Sequence, residues 1–277
     1  MADTSFLDWP FLEPKHKALH AALEAWASDN LRHVDHDNTD QTCQALVAAL
    51  GAAGILKHTG VNATFPQIDV RSLCLIRETL ARHDGLADFA FAMQGLGTMA
   101  ISLFGSDTQK ADWLPKIQSG AALSAFALSE PQSGSDVANL QLSARRDGNG
   151  YVLNGEKTWI SNGGIADVYT VFARTGEAPG GRGISAFIVP ADTPGLQIAE
   201  RLETVSPHPL ARLVFADLHL TAEAMIGDPG TGFKVAMATL DTMRTTVGAA
   251  ALGFARRAFD ESINRAKNRE LFGAPLA

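Results

Sequence analysis

Two stretches concentrate the residue types that do chemistry. The first is Phe126-Ala127-Leu128-Ser129-Glu130-Pro131-Gln132-Ser133-Gly134-Ser135-Asp136, and the second is Gly155-Glu156-Lys157-Thr158-Trp159-Ile160-Ser161-Asn162-Gly163-Gly164. Together they put small hydroxyls, glycines and one tryptophan on short strands and tight turns. Hydroxyls and free amides hydrogen-bond a polar edge, glycines let backbone approach closely, and a tryptophan covers a flat ring. That set suits a flat aromatic cofactor gripped along its edge and covered on a face. Trp159 and Ser161 are spaced so that both point to one face of a strand. Downstream, Asp241 and Arg244 stand at i and i+3 on a helix, placed to meet a polar ligand together. Arg269, Phe272 and Gly273 close that helix with a charge and an aromatic.

Other motifs read less specifically. Gly95-Leu96-Gly97-Thr98-Met99-Ala100 has the form of a dinucleotide fingerprint. It lies in a helical region with no strand before it, so close helix packing is the reading taken for its glycines. Gly227-Asp228-Pro229-Gly230-Thr231-Gly232-Phe233-Lys234 nearly forms a phosphate loop, but Phe233 displaces the lysine by one place. It reads as a Gly/Pro loop feeding a helix N-terminus. His16 and His20 could share a helix face, yet no matching acidic ligand accompanies them, so a solvated face is expected rather than a metal. Neither a nucleophile elbow nor a reactive-cysteine context is apparent.

The elements that must position these residues fall into three regions. Up to about residue 125 the chain reads as helices: Leu12–Leu31, Thr42–Leu50 stopped by Gly51 and Gly54, and Val70–His83 with Leu73, Ile76, Arg77 and Leu80 at helical spacing. Ser106 is an N-cap, with Gln109 completing a capping box, for a helix stopped at Gly120. From about 126 the period shortens. Leu140, Leu142 and Ala144 alternate with polar neighbours, and Asn154-Gly155 between two apolar runs signals a two-residue hairpin. Val168–Arg174, Ile184–Val189 and Leu213–Leu220 are further strands, and their spacing suggests a small barrel or sandwich. After Gly232 the helical period returns through Phe233, Met237, Leu240, Arg244, Val247, Ala251, Phe254 and Ala258. This helix is expected to reach about Arg269, roughly 35 residues and 50 Å, and to expose an apolar stripe for want of partner helices.

Composition bounds the class. The chain of 277 residues is 46% apolar and 19% charged, with net charge −7. These values fit a multidomain globular protein, and neither nucleic acid nor an anionic membrane is the expected partner. Two cysteines, Cys43 and Cys74, form no CxxC pair, so a reducing, cytoplasmic setting fits and neither disulfides nor a metal centre is expected. No secretory signal and no uninterrupted apolar span is read.

The order helices, β-domain, helix resembles the acyl-CoA dehydrogenase family of flavoproteins. Leu128-Ser129-Glu130-Pro131 with Gly134-Ser135-Asp136 resembles the family's first signature. Asn154-Gly155-Glu156-Lys157 with Trp159-Ile160-Ser161-Asn162-Gly163 resembles its flavin hairpin. Gly232-Phe233-Lys234 and Arg269-Glu270-Leu271-Phe272-Gly273 look like the start and end of its first C-terminal helix. The resemblance covers essentially the whole chain. It implies a multidomain α+β fold: an all-α domain over 1–125, a small β-barrel or sandwich over 126–225 for flavin and acyl-CoA, and over 226–277 the start of a C-terminal helical bundle.

It also implies FAD, with Phe126, Leu128, Ser129, Gly134, Ser135, Trp159, Ile160, Ser161, Arg269 and Phe272 as its contacts. Ser129 would donate to the polar pyrimidine side, Trp159 would pack against the ring, and the Ser161 hydroxyl would reach N5. Gly134 would let backbone approach, and Ser135 would lie between flavin phosphate and CoA. Asp241 and Arg244 match CoA contacts. Arg269 matches an arginine that reaches the FAD of a neighbouring subunit, so a homo-oligomer, dimer or tetramer, is implied. The implied reaction is α,β-desaturation of an acyl-CoA to the trans-2-enoyl-CoA, with electrons passed to an electron-transfer flavoprotein. A carboxylate base removes the α-proton as hydride leaves the β-carbon.

The chain departs from that pattern at the base. The family's usual catalytic glutamate lies in a segment of roughly 100 residues, a domain's worth, beyond the long helix. The alternative position on the helix is Met243, which takes no proton. Glu130 is the nearest carboxylate to the flavin motif, but its match is structural. His208-Pro209-Leu210-Ala211, Gln132 and Leu271 also differ from common family choices. Three readings follow: a truncated acyl-CoA dehydrogenase, a non-catalytic flavin- or acyl-CoA-binding subunit that completes its site with another chain, and an oxidase relative. The intact flavin motif favours the first, the two missing carboxylates favour the second, and nothing direct favours the third.

Overall fold

The computed structural model describes residues 3–277. Five helices come first: α1 (Pro14–Asn30), α2 (Thr39–Ala52), α3 (Val70–His83), α4 (Gly85–Phe104) and α5 (Asp107–Gln118). Eight strands follow: β1 (Ser124–Ala127), β2 (Ser143–Asp147), β3 (Gly150–Ser161), β4 (Val168–Arg174), β5 (Ile184–Pro190), β6 (Leu196–Arg201), β7 (Leu210–Thr221) and β8 (Met225–Ile226). The chain then enters α6 (Gly232–Asn268) and ends in a two-residue antiparallel ladder, Glu270–Leu271 with Ala274–Pro275. The chain is thus a multidomain α+β protein: a helical N-terminal region, a mixed sheet and the first helix of a C-terminal region.

Chain contacts divide it into two compact units. One comprises residues up to Val34, Asp69–Asp88 and Arg244–Ala277; the other comprises Asp35–Ile68 and Phe89–Met243.

In the first unit, α3 is fixed by Asp69, whose carboxylate caps Arg71 N at 3.1 Å and also accepts from His16 Nε2 at 2.9 Å. Burial alone would raise the Asp69 pKa. Hydrogen bonds from Arg71, His16 and Lys15 outweigh it and hold the carboxyl far below the usual range. His16 is fully buried and accepts from Glu13 N at 2.9 Å, so the solvated His16/His20 face expected from sequence is not formed. Behind α3, Arg77 makes a two-pronged bond to Asp88 at 2.8 and 2.7 Å, and a third bond to Thr246 Oγ1 at 3.1 Å. Gly253 brings α6 against α3 so closely that a Cβ there would sit 2.2 Å from the Glu78 carbonyl oxygen. Arg256 bonds Glu78 at 2.8 Å beside it.

In the second unit the eight strands form one sheet in the order β6-β7-β3-β2-β4-β5-β8, with β1 added parallel to β4. Leu153, Ile160, Tyr169, Val171, Phe187, Leu213 and Phe215 belong to a core drawn from the strands and the segments joining them. A sheet that builds a core without help from a helix must curl over itself, as barrels do. The opposite face, with Val168, Phe172, Ile184, Ala186 and Ile188, packs on Ile101, Leu114, Ile117, Val235 and Ala236 from the helices.

Gly97 shows what the apparent dinucleotide fingerprint does. It lies within α4, and a Cβ there would meet Ser124 Oγ at 2.6 Å and Ala125 N at 2.9 Å, while its carbonyl accepts from Thr170 Oγ1 at 3.0 Å. The glycine lets helix and sheet touch. Gly97→Val is expected to lower stability by about 2–3 kcal/mol through overpacking, measured by urea unfolding; a loss below about 0.5 kcal/mol would show that this contact yields freely.

Several expectations need correction. Asn154-Gly155 is not a hairpin turn. β3 runs through it with a bulge, Gly155 at φ 139°, and the β2–β3 turn is Gly148-Asn149. β2 begins at Ser143 rather than near Leu140, because the Gln141 and Leu142 amides bond the Glu130 carboxylate instead of a strand. The exposed edge strand β6 adds to the strands expected from sequence. α4 is long and apolar enough to cross a membrane by length and composition, but 78% of its apolar window is buried inside the protein. The α6 stripe divides: Phe233, Met237 and Leu240 pack on the helix–sheet core, whereas Val247 and Phe254 are exposed.

Candidate functional site

The site is built where β1 runs out beside β3. Two consecutive residues of β3, Lys157 and Thr158, clasp three of the other segment, Leu128, Ser129 and Glu130. Thr158 N donates to Ser129 O at 2.9 Å. Lys157 Nζ donates to Leu128 O at 2.9 Å and to Glu130 Oε1 at 2.8 Å. Both charges are buried, the lysine side chain completely. Glu130 is further saturated by Leu142 N at 2.9 Å, Gln141 N at 2.5 Å and Gln132 Nε2 at 2.8 Å. Burial pushes the Lys157 ammonium down to about 8, with Glu130 opposing the shift. A carboxylate so engaged is a brace, and it has no lone pair to spare for taking a proton from a substrate.

The clasp leaves a set of groups facing outward. Trp159 is 59% exposed and sits at φ 58°, in the left-handed region that bulky residues rarely enter. It lies where the β3–β7 register slips between Lys157 and Ile160. Strict alternation is therefore interrupted at Trp159, and its spacing from Ser161 does not by itself put the two on one face. The half-buried Ser129 and Ser161 have hydroxyls with no hydrogen-bond partner among the described residues, and neither does the Ser129 N–H. Asn162 follows at φ 59°, its Nδ2 on Ser124 O at 2.9 Å and its buried Oδ1 without a partner. Half-buried donors left unpaired beside an exposed indole are the donor set that a flat, polar-edged ring requires, so the residues present fit a flavin.

The remaining expected site residues are distributed as follows. The side chains of Ile160 and Leu128 are buried in core, and their carbonyls accept from Gly163 N and Lys157 Nζ, both at 2.9 Å. Phe126 is partly buried with its ring 4.9 Å from that of Phe172. Gly134 and Ser135 are exposed, and a Cβ at Gly134 would meet nothing within 4 Å. Asp241 and Arg244 are both exposed on α6. Arg269 and the exposed Phe272 lie beyond the C-terminal end of α6. Met243 is buried, its methyl 3.0 Å from the place a Gly95 Cβ would occupy. His208 stacks on Phe89 with ring centroids 4.6 Å apart, and Pro209 O accepts from Asn162 N at 2.9 Å. The divergent loop is thereby tied to the end of β3. Sequence reasoning missed Lys157 and Glu130 as a pair; each reads alone as a surface charge next to a turn.

A helical N-terminal region, a mixed sheet with an aromatic and unpaired donors at its edge, and a long helix are the arrangement expected of a flavin-dependent oxidoreductase. Comparison with known proteins agrees. Residues 13–121, 125–218 and 230–277 match the N-terminal, middle and C-terminal domain models of acyl-CoA dehydrogenase. The protein named "Probable acyl-CoA dehydrogenase fadE25" of Mycobacterium leprae (strain TN) is 37% identical over 271 residues, which cover 96% of this chain and 70% of that one. Butyryl-CoA dehydrogenase from Megasphaera elsdenii superposes with a TM-score of 0.85 at 31% identity, covering 96% of this chain and 72% of that one. A glutaryl-CoA dehydrogenase from Mycobacterium smegmatis, in complex with FADH2, gives 0.85 at 30% identity, covering 99% and 70%. The chain belongs to the acyl-CoA dehydrogenase family, FAD-dependent oxidoreductases acting on the CH–CH bond of acyl-CoA.

Proposed function

We propose that this chain binds FAD at the Ser129–Trp159 clasp, and an acyl-CoA thioester beside it, for α,β-dehydrogenation to the trans-2-enoyl-CoA. The observation that carries the reading is the clasp itself: it holds a strained, exposed tryptophan next to donors with no partner among the described residues. Bound FAD would supply the hydride acceptor. Ser129 would bond its polar pyrimidine edge through Oγ and N–H, Trp159 would cover the ring, and the Ser161 hydroxyl would stand at N5. Gly134 and Ser135 would meet phosphate, Asp241 and Arg244 the CoA moiety, and Arg269 and Phe272 the FAD of another subunit in a homo-oligomer. An electron-transfer flavoprotein is the proposed acceptor, and a reducing cytoplasm the proposed setting. The three domains remain proposed as 1–125, 126–225 and 226–277.

We also propose that the acid–base half of the reaction is not supplied by these 277 residues. Met243 is packing, and Glu130 is saturated by four donors. A binding subunit completed by another chain is the second reading these two residues favour. Ser129→Ala and Trp159→Ala are each expected to weaken FAD binding roughly tenfold, the worth of one good hydrogen bond or stacking contact, measured by fluorescence titration. Unchanged affinity in both variants would refute the site. Anaerobic addition of an acyl-CoA chain-length panel to the FAD-loaded chain is expected to leave the flavin oxidised; bleaching by any member would place a base within these residues.

A further inference from the structure

The side chain of Lys157 is completely buried and lies outside the chemistry proposed above, yet its Nζ makes one of the two hydrogen bonds that tie β3 to the Leu128–Ser129 segment. Its bond to Leu128 O has a directional consequence. No cis peptide bond is present among the described residues, and in a planar trans peptide the carbonyl and the following N–H point to opposite sides. With Leu128 O aimed at Lys157 Nζ at 2.9 Å, the Ser129 N–H is aimed away from it. That N–H is the one found without an acceptor among the described residues. The second bond, Thr158 N to Ser129 O at 2.9 Å, holds the next peptide. The plane carrying Ser129 is therefore pinned at both ends, and Glu130 keeps the pinning ammonium in place through a 2.8 Å bond.

We propose that Lys157, held by Glu130, is a positioning residue for the flavin: it fixes the Leu128–Ser129 peptide so that the Ser129 N–H and hydroxyl meet the polar edge of the ring. The inference rests on the flavin assignment made under Proposed function, and goes beyond it by giving a buried ion pair a role in cofactor recognition. Lys157 touches neither flavin nor substrate. It acts through Leu128 O, and its loss frees a peptide to rotate.

A double-mutant cycle on FAD affinity tests this, with Lys157→Met, Ser129→Ala and the pair titrated with FAD as apo-proteins, and unfolding midpoints recorded alongside. Lys157→Met is expected to weaken FAD binding at least tenfold and to shift the reduction potential of the bound flavin. In its background Ser129→Ala is expected to cost less than twofold further, because a misplaced serine has little left to lose. Multiplying losses, or a Lys157→Met protein with unchanged FAD affinity and potential but a lowered unfolding midpoint, would overturn the proposal and leave the pair a structural brace. If Lys157→Met does not fold, Glu130→Gln takes its place in the cycle, with a smaller loss of about threefold and the same failure to multiply; multiplying losses there overturn it equally. Trp159→Ala keeps the two claims apart. It lacks any bond to Lys157, so if it also leaves FAD affinity unchanged, the flavin assignment fails; if it weakens binding while Lys157→Met does not, only the positioning role fails.

Discussion

Glu130→Ala is expected to destabilise the chain by about 3–5 kcal/mol at neutral pH, the range seen when one partner of a buried ion pair is removed. The substitution leaves the Lys157 ammonium fully buried with only Leu128 O to receive it, and it strips the Gln141 and Leu142 amides of their acceptor. The loss is expected to depend on pH in a particular direction. In the native protein Lys157 already titrates at about 8, against an ordinary 10.5. Between those values the unfolded chain binds the proton that the folded chain has released, so this group makes stability rise with pH. Without the Glu130 charge the native value falls further, and neutral lysine becomes the resting form. Urea unfolding of Glu130→Ala should therefore show a smaller deficit at pH 9 than at pH 7. A deficit below 1 kcal/mol, or one that grows with pH, would contradict the buried pair described here.

Asp88→Ala is expected to cost as much, about 3–5 kcal/mol, with no relief at alkaline pH. Here the stranded group is Arg77, which loses both prongs of its bond and keeps only Thr246 Oγ1. A guanidinium does not give up its proton in a protein, so the buried charge has no escape by titration. The reciprocal variant, Arg77→Leu, strands a carboxyl that does have one. Burial already raises the Asp88 pKa, with Arg77 opposing, and loss of Arg77 lets Asp88 take a proton. Its deficit should shrink as pH is lowered towards 5, whereas that of Asp88→Ala should not. Equal pH profiles for the two variants would show that the pair contributes through packing alone.

What could be read from the sequence was set by how local the causes are. α3 runs over Val70–His83 as its apolar spacing predicts, because Asp69 caps it from within the same segment. The Ser106–Gln109 capping box is likewise formed, its two bonds at 3.0 and 3.2 Å. Asn154-Gly155 misled because the dipeptide favours a turn only when the chain on both sides is free to pair with itself; here both sides pair with β7 and the glycine accommodates a bulge. β6 has no legible pattern because its apolar residues Leu196, Ile198 and Ala199 do not alternate through the strand, and only Leu196 packs on the core. The hydroxyls and tryptophan of the site were legible by type. Their support was not, since Lys157 and Glu130 meet only through the fold.

The backbone at Trp159 has a consequence for how a cofactor is taken up. Residues held in the left-handed region cost of order 1–3 kcal/mol each, and Trp159 and Asn162 both occupy it. The fold itself thus holds the backbone that carries the indole in this region. A ring arriving at this edge meets a surface with little conformational freedom left to lose, so more of each contact's energy appears as affinity. The same arrangement gives the apo-chain an incentive to relax: any substitution that lets residue 159 return to an extended conformation would make the empty protein more robust and the site a poorer receptor.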